Sequence, residues 1–351
     1  MIYARALRQL GVVMMLALSI TACTGADPSG HRPSAAASRG VTRPTSNPAS
    51  TQASSVAPHE PATSVPVLRR VGVSLPLNRL AGFIKTTGSV PNQLGIYQQW
   101  AAGLPFDAVA GAAAMSRGMS ILVNWEPWAP QCDCAEQLDW TDRKIASGAH
   151  DAYIRAYARS VKAFTLTGGH VTLRLGHEMN GNWYPWAAGA NGNTSADYIA
   201  MWRHVYIVFT AEHVPNVRWM WSPNLAYPGS VAMSALYPGD RYVDDVGLSG
   251  YNFGAGDGFH WETFSTLFQP SLDTLRRIAP RKPLYLAEIG CAPQGGNKAA
   301  WIADAFRQVN KRRYIAGITW FEQRTQRDWT IEDSPADVRA WRAGVTLLQG
   351  N

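Results

Sequence analysis

What most constrains this chain is a regular alternation along its C-terminal four-fifths. Short β-branched or apolar runs (Val71–Leu75, Ser120–Trp125, Val171–Leu175, Val217–Trp221, Asp245–Ser249, Pro283–Ala287 and Ile315–Trp320) are separated by longer stretches. Amphipathic helices are expected over about His150–Phe164, Ser195–Glu212, Lys298–Asn310 and Pro335–Leu348. Strands alternating with helices in this way describe an α/β protein with a parallel sheet. Between Leu75 and Ala110 the pattern is hard to parse. A doubly wound open sheet calls for a Gly-rich phosphate loop after its first strand, and none is present. Polar and aromatic residues instead gather where the runs end, as at the C-terminal mouth of a (β/α)8 TIM barrel.

The two ends set the size of that barrel. Arg5 and Arg8 precede an apolar run from Leu10 to Ile20 that is too short to span a bilayer, which reads as an export signal over residues 1–22. Ile20-Thr21-Ala22-Cys23 resembles a bacterial lipoprotein signal, implying lipidation of Cys23 and a membrane anchor; an ordinary signal peptide with a cysteine at its cleavage site is the alternative. Residues 23–66 are rich in Pro, Ser, Ala and Thr, have too little apolar surface to offset the entropy of ordering, and read as a disordered tether. Residues 67–351 remain, 285 in all, close to the roughly 250 of one barrel.

The net charge of +7 comes partly from the signal and tether, and no dense basic block or nucleic-acid motif follows, so no nucleic-acid partner is expected. Export permits a disulfide among Cys132, Cys134 and Cys291. A Cys-x-Cys bridge is strained, so the expected link runs from Cys132 or Cys134 to Cys291. No His cluster with ligand spacing accompanies the thiols, and no metal or other cofactor is expected.

The chemistry concentrates after the run at Val171–Leu175. His177, Glu178, Asn180, Trp183, Tyr184 and Trp186 fall within ten positions, an expensive surface unless something binds there. A second glutamate, Glu288, ends the run Pro283–Ala287. Two carboxylates at the tops of two barrel strands, with aromatics around them, are the minimum apparatus for glycoside hydrolysis. Trp125, Glu126 and Trp128 form a further group after the third run, suited either to a distal sugar subsite or to loop packing. Glu322 and Asp328 have no spacing that assigns them a role.

The run Arg174-Leu-Gly-His-Glu-Met-Asn-Gly181 with Trp183-Tyr-Pro-Trp186 resembles glycoside hydrolase family 26, the β-mannanase family. So do Trp221-Ser-Pro-Asn224, Tyr237-Pro-Gly-Asp240, Gly247-Leu-Ser-Gly-Tyr-Asn252, Ala287-Glu-Ile-Gly290 and Lys298-Ala-Ala-Trp-Ile302. The resemblance covers most of residues 71–320. It implies a retaining double displacement in which Glu178, after strand 4, is acid/base and Glu288, after strand 7, is nucleophile. That numbering needs two strands before Ser120, and the mechanism implies carboxyls about 5–5.5 Å apart. The resemblance also places His177 and Asn180 at the cleaved sugar, Tyr251 on the nucleophile, Trp320 under the sugar, Trp183 at the cleft and Arg174 on a catalytic carboxylate. Tyr251 and Trp320 as barrel packing, and Arg174 as a structural ion pair, are the alternatives.

The expected substrate is a β-linked polysaccharide, foremost β-1,4-mannan, and the expected molecule is an exported monomer anchored at the cell surface or in the envelope. A mixed-linkage β-glucanase, a β-1,3-xylanase or an exopolysaccharide-trimming hydrolase would share the same scaffold. A non-catalytic polysaccharide-binding lipoprotein would be expected to lack one of the two carboxylates.

Overall fold

The computed structural model describes residues 69–350, residue 133 excepted. The expected signal, Cys23 and the tether lie outside these residues. Eight parallel strands close into a barrel in sequence order: β1 Arg70–Ser74, β2 Gln93–Gln99, β3 Ser120–Glu126, β4 Val171–Leu175, β5 Val217–Trp221, β6 Asp245–Asn252, β7 Leu284–Cys291 and β8 Ile315–Phe321. The stretch that resisted parsing holds both α1 (Leu77–Thr87) and β2, so two strands do precede Ser120. The remaining helices are α2 Ala108–Met115, α3 Asp142–Ala146, α4 Asp151–Thr165, α5 Ser195–Thr210, α6 Phe264–Ile278, α7 Lys298–Lys311 and α8 Pro335–Gln349. Two 3-10 turns, Met233–Leu236 and Asp240–Tyr242, join β5 to β6.

Local chemistry fixes the helix starts. Thr194 accepts the backbone N–H of Asp197 while the Asp197 carboxylate accepts that of Thr194, a reciprocal cap on α5. Asn297 caps α7 through Ala300, and Ser334 caps α8 with Pro335 in its first turn.

The largest apolar core lies between the outward faces of the strands and the helices, where Trp125, Tyr157, Trp202, Phe268, Trp301 and Trp320 are buried. Inside the barrel an apolar cluster of Leu122, Met220, Tyr285 and Ala287 is small. Around it the interior is polar. The fully buried Asp245 takes a two-point bond from Arg218, at 2.6 and 2.7 Å, and Arg70 donates to Thr172 at 3.2 Å. Because strand side chains alternate, the inward set rises from these residues to Asn124, Arg174, Ser222 and Ser249 at the upper end.

Candidate active site

At the top of β4 the chain turns sharply. Gly176 and Glu178 both adopt left-handed backbone, with φ of 47° and 57°. For a glutamate this conformation is costly and persists only where the surroundings enforce it. They do so here: the Glu178 N–H is donated to the Ser222 carbonyl at 2.8 Å, and the Trp186 indole donates to the His177 carbonyl at 2.7 Å. The turn drives the Glu178 side chain over the barrel mouth, where Trp183 Nε1 donates to its Oε2 at 3.0 Å.

On β7 the register slips against both neighbours: Leu248 faces Leu286, but Ser249 faces Glu288, and Leu286 pairs with Ile318 while Ile289 pairs with Trp320. A bulge of this kind re-aims a side chain. Ala287 joins the interior apolar cluster, and the next residue, Glu288, also turns inward.

Arg174, fully buried on β4, ties the two halves together. Its Nη1 donates to Glu288 Oε2 at 2.5 Å and to Asn124 at 2.6 Å, its Nε donates to Ser222 at 2.9 Å, and its Nη2 donates to the Ser249 hydroxyl. Tyr251 donates its O–H to Glu288 Oε1, so both oxygens of Glu288 are engaged by donors, one of them charged. Glu178 is treated differently: burial first, and the negative charge of Glu288 second, push its pKa up from 4.5 to about 7, against the pull of Arg174. Burial, then the carboxylate charges, hold the phenols of Tyr97, Tyr184 and Tyr251 well above their ordinary range, so these groups face the site as neutral donors.

A third carboxylate, Glu126 at the end of β3, accepts from Gln99 at 2.6 Å and Trp128 at 3.3 Å; burial raises its pKa to about 7. Its Oε1 lies 3.5 Å from His177 Nε2. His177 itself is buried among Tyr97, Tyr184 and Trp186, and that burial holds its pKa well below 6.5. Two cavities among the described residues have volumes of about 500 Å³ and about 380 Å³. One is lined by Trp183 and the other by Tyr97.

Several expectations need correction. Trp125 does not face a sugar: it points outward from β3, stacks on Tyr157 of α4 at 4.6 Å between ring centroids and donates to the Tyr153 hydroxyl. Trp125→Ala is expected to cost about 3–5 kcal/mol of stability, read by denaturant unfolding, with KM unchanged in the folded fraction. A raised KM at unchanged stability would restore a sugar contact. Trp320 also points outward, against Trp301 of α7, with its N–H on the Trp329 carbonyl. Phe321, the next residue, is the one that reaches Tyr97 and Tyr251.

Asn180 spends both ends of its amide on the backbone of Asn224, at 2.8 and 3.0 Å, and so pins the loop after β4 to the loop after β5 rather than reaching for a sugar. Trp128 is only 3% exposed, braced edge-on against Tyr184 and Trp186 and bonded to Glu126; it offers a sugar almost no ring face. Glu322 accepts the Ile331 N–H at 2.8 and 2.9 Å and Asp328 accepts that of Thr330 at 2.9 Å, both holding the loop after β8.

The disulfide joins Cys132 to Cys134, and Cys291 is a buried free thiol in β7. The 3-10 turn at Pro130–Cys132 brings the two Cα atoms to 5.2 Å, inside the range a disulfide spans. The residues that strand-end reading missed are Tyr97, Asn124, Ser222, Ser249 and Asn224. For Asn124 and Ser249 the signal was a short polar side chain at an inward position of an otherwise apolar run; Tyr97 lies in a strand without such a run, and Ser222 and Asn224 follow the end of β5.

Comparison with known proteins adds the class. Residues 138–281 match the model of Glycosyl hydrolase family 26, a span that includes Glu178 and ends before Glu288. The chain is 34% identical over 246 residues to Endoglucanase H of Acetivibrio thermocellus, covering 68% of this chain and 26% of that protein. It is 38% identical over 182 residues to Mannan endo-1,4-beta-mannosidase A and B of Caldalkalibacillus mannanilyticus, covering 50% of this chain and 31% of that one. The chain thus spans only about a quarter to a third of these curated relatives. The solved GH26 beta-mannanase BoMan26A of Bacteroides ovatus superposes with a TM-score of 0.62 at 17% identity, over 82% of this chain and 92% of that one, a likeness of fold. Together these likenesses show a TIM barrel whose residues 138–281 are similar to Glycosyl hydrolase family 26.

Proposed function

We propose that the barrel is a retaining glycoside hydrolase that cleaves β-1,4-mannan, with Glu178 as acid/base and Glu288 as nucleophile. The observation that carries this reading is the unequal treatment of the two carboxyls. Arg174 and Tyr251 clamp Glu288 from both oxygens, whereas burial and the Glu288 charge keep Glu178 protonated up to a pH of about 7. Two carboxyls whose environments differ in this way divide the roles of acid and nucleophile. Glu178 protonates the leaving oxygen as Glu288 attacks the anomeric carbon; Glu178, now ionised, then takes a proton from the water that releases the sugar. Transfer of the Glu288 bond to the sugar discharges the carboxylate that raises the Glu178 pKa, so the same group becomes a base when a base is needed.

The relative named as a mannan endo-1,4-beta-mannosidase supports mannan; Endoglucanase H favours a β-glucan on the same scaffold. The test is reducing-sugar release from β-mannan, glucomannan, mixed-linkage β-glucan and β-1,3-xylan. Release from mannan and glucomannan is expected. Release from glucan or xylan alone would keep the mechanism and replace the substrate, and release from none would leave a polysaccharide-binding protein.

A further inference from the structure

The end of the barrel opposite the carboxylates carries a charge pattern that catalysis does not use. The strands start at this end, and the helices that return from the mouth finish there. Two short basic runs meet on it: Arg276-Arg-Ile-Ala-Pro-Arg281-Lys282 leads from α6 into β7, and Lys311-Arg-Arg313 leads from α7 into β8. β7 pairs with β8 and β8 with β1, so the two runs are neighbours, and Arg69 at the entry to β1 completes the row. Direct contacts join them. Arg69 donates to the Val309 and Asn310 carbonyls at 2.7 and 3.2 Å, Arg276 lies over the Tyr314 ring at 4.3 Å, and Arg312 donates to Gln269 of α6 at 2.6 Å. Burial first, and then the like charge of Arg313, lower the Arg69 pKa from its usual value.

Neither run contains an acid. Among the described residues Arg281 alone of these cations has a carboxylate partner, Asp240 at 2.8 Å. Glu212 and Asp245 at the same end are engaged by Arg155, Arg159 and Arg218. Helix dipoles do not account for the row. They favour a cation at every helix C-terminus, yet α5 and α8 have none in their last turn, and Arg69, Arg281, Lys282 and Arg313 lie outside the helices. A second feature coincides with the row. Of the exposed large apolar side chains, Met115, Ile207 and Leu347 stand in the last turns of α2, α5 and α8, Leu166 follows α4, and Val90 lies between α1 and β2, all at this same end.

Cations set among protruding apolar side chains suit the surface of an anionic bilayer, where the charges meet phosphate headgroups and the apolar groups enter the acyl boundary. A single-stranded nucleic acid calls for open aromatic faces, and Tyr314, the ring within the row, is covered by Arg276. We propose that this end of the barrel docks on an anionic phospholipid surface through Arg69, Arg276, Arg277 and Lys311–Arg313, so that the mouth with Glu178 and Glu288 faces away from the lipid. With 14 residues, α7 spans about 21 Å between the two ends. That exceeds a Debye length of about 8–10 Å, so the bilayer charge is screened before it reaches the carboxylates. The inference goes beyond hydrolysis, and it holds whether or not Cys23 carries a lipid.

The experiment is vesicle sedimentation of residues 67–351, which hold all eight strands of the closed barrel and its core. The vesicles are phosphatidylcholine alone and phosphatidylcholine mixed with phosphatidylglycerol. Arg276→Glu/Arg277→Glu and Lys311→Glu/Arg313→Glu reverse exposed charges on the docking face. Lys144→Glu/Arg339→Glu makes the same change of net charge at exposed positions of α3 and α8 toward the mouth, and a thermal melt checks that each variant is folded. A basic residue close to an anionic surface contributes roughly fivefold to binding. Each of the first two variants is therefore expected to bind the phosphatidylglycerol vesicles at least about tenfold more weakly, the control pair to bind as the unsubstituted barrel does, and added salt to release it. A barrel that does not distinguish the two vesicles, or that binds duplex DNA and neither vesicle, overturns the inference. So does a control pair that loses as much binding as the face variants, since net charge and not this face would then carry the attraction.

Discussion

Glu288→Gln is expected to lower turnover on the polymer by roughly 10⁴–10⁶-fold while the barrel stays folded. The amide cannot form the glycosyl bond, and it also removes the charge that keeps Glu178 protonated, so nucleophile and acid fail together. Glutamine is the informative substitution because Arg174 is fully buried and donates directly to Glu288. Alanine would leave that guanidinium facing a void, and breaking one side of a buried charged pair costs about 3–5 kcal/mol. Glutamine keeps an acceptor for Arg174 and a similar volume.

The measurements are reducing-sugar release and a thermal melt, with proton NMR of the wild-type reaction to identify the first anomer formed. Retention of configuration with a dead but folded Glu288→Gln is the expected result. Inversion would make water the nucleophile and Glu288 at most its base, and activity within tenfold of wild type would move the nucleophile elsewhere, with Glu126 a further buried carboxylate at the mouth.

The parts of this site that were legible in the sequence are those in which chemistry and strand pattern coincide. Glu178 and Glu288 each follow a clear apolar run, and the runs alternate with helices regularly enough to count. β2 was illegible for a physical reason. Its inward residues, Gln93, Gly95 and Tyr97, face the polar interior of the barrel: Gln93 receives the Thr319 hydroxyl, and a side chain at Gly95 would collide with Ser74. A strand that supplies polar groups inward and apolar groups outward in a run as short as Gln-Leu-Gly-Ile-Tyr-Gln-Gln shows no apolar run to read.

The aromatic assignments failed for a related reason. Composition cannot tell which face of a strand a tryptophan occupies, and alternation turns Trp125 and Trp320 outward while Asn124 and Phe321 turn inward. The bulge that swings Glu288 inward behind Ala287 is a property of pairing with both neighbours, and no single strand's sequence records it.

Glu178→Gln should separate the acid from everything else. In the wild type the group is protonated below a pH of about 7, so kcat/KM on the polymer is expected to fall about tenfold per pH unit above that point. The variant cannot protonate the leaving oxygen and should lose roughly 10²–10⁴-fold on the polymer. The loss in kcat/KM should be far smaller on 4-nitrophenyl β-mannobioside, whose leaving group departs without a proton, while kcat still falls because the variant lacks the base that activates water. Glu126 also titrates near 7, and the variant resolves the two. If the alkaline limb belongs to Glu178, Glu178→Gln removes it; if the limb survives unchanged, Glu126 carries it and the assignment of the acid fails.

Stability supplies an independent check with a definite sign. The folded protein holds the Glu178 proton up to about pH 7, while the unfolded chain releases it near 4.5, so the folded state binds more protons between those values and stability declines as pH rises through that window. Glutamine has no proton to lose. Relative to wild type, Glu178→Gln should therefore become more stable as pH rises from 5 to 8, by at most roughly 3 kcal/mol. A stability difference that stays flat across this range would mean that Glu178 is ionised throughout and cannot be the acid.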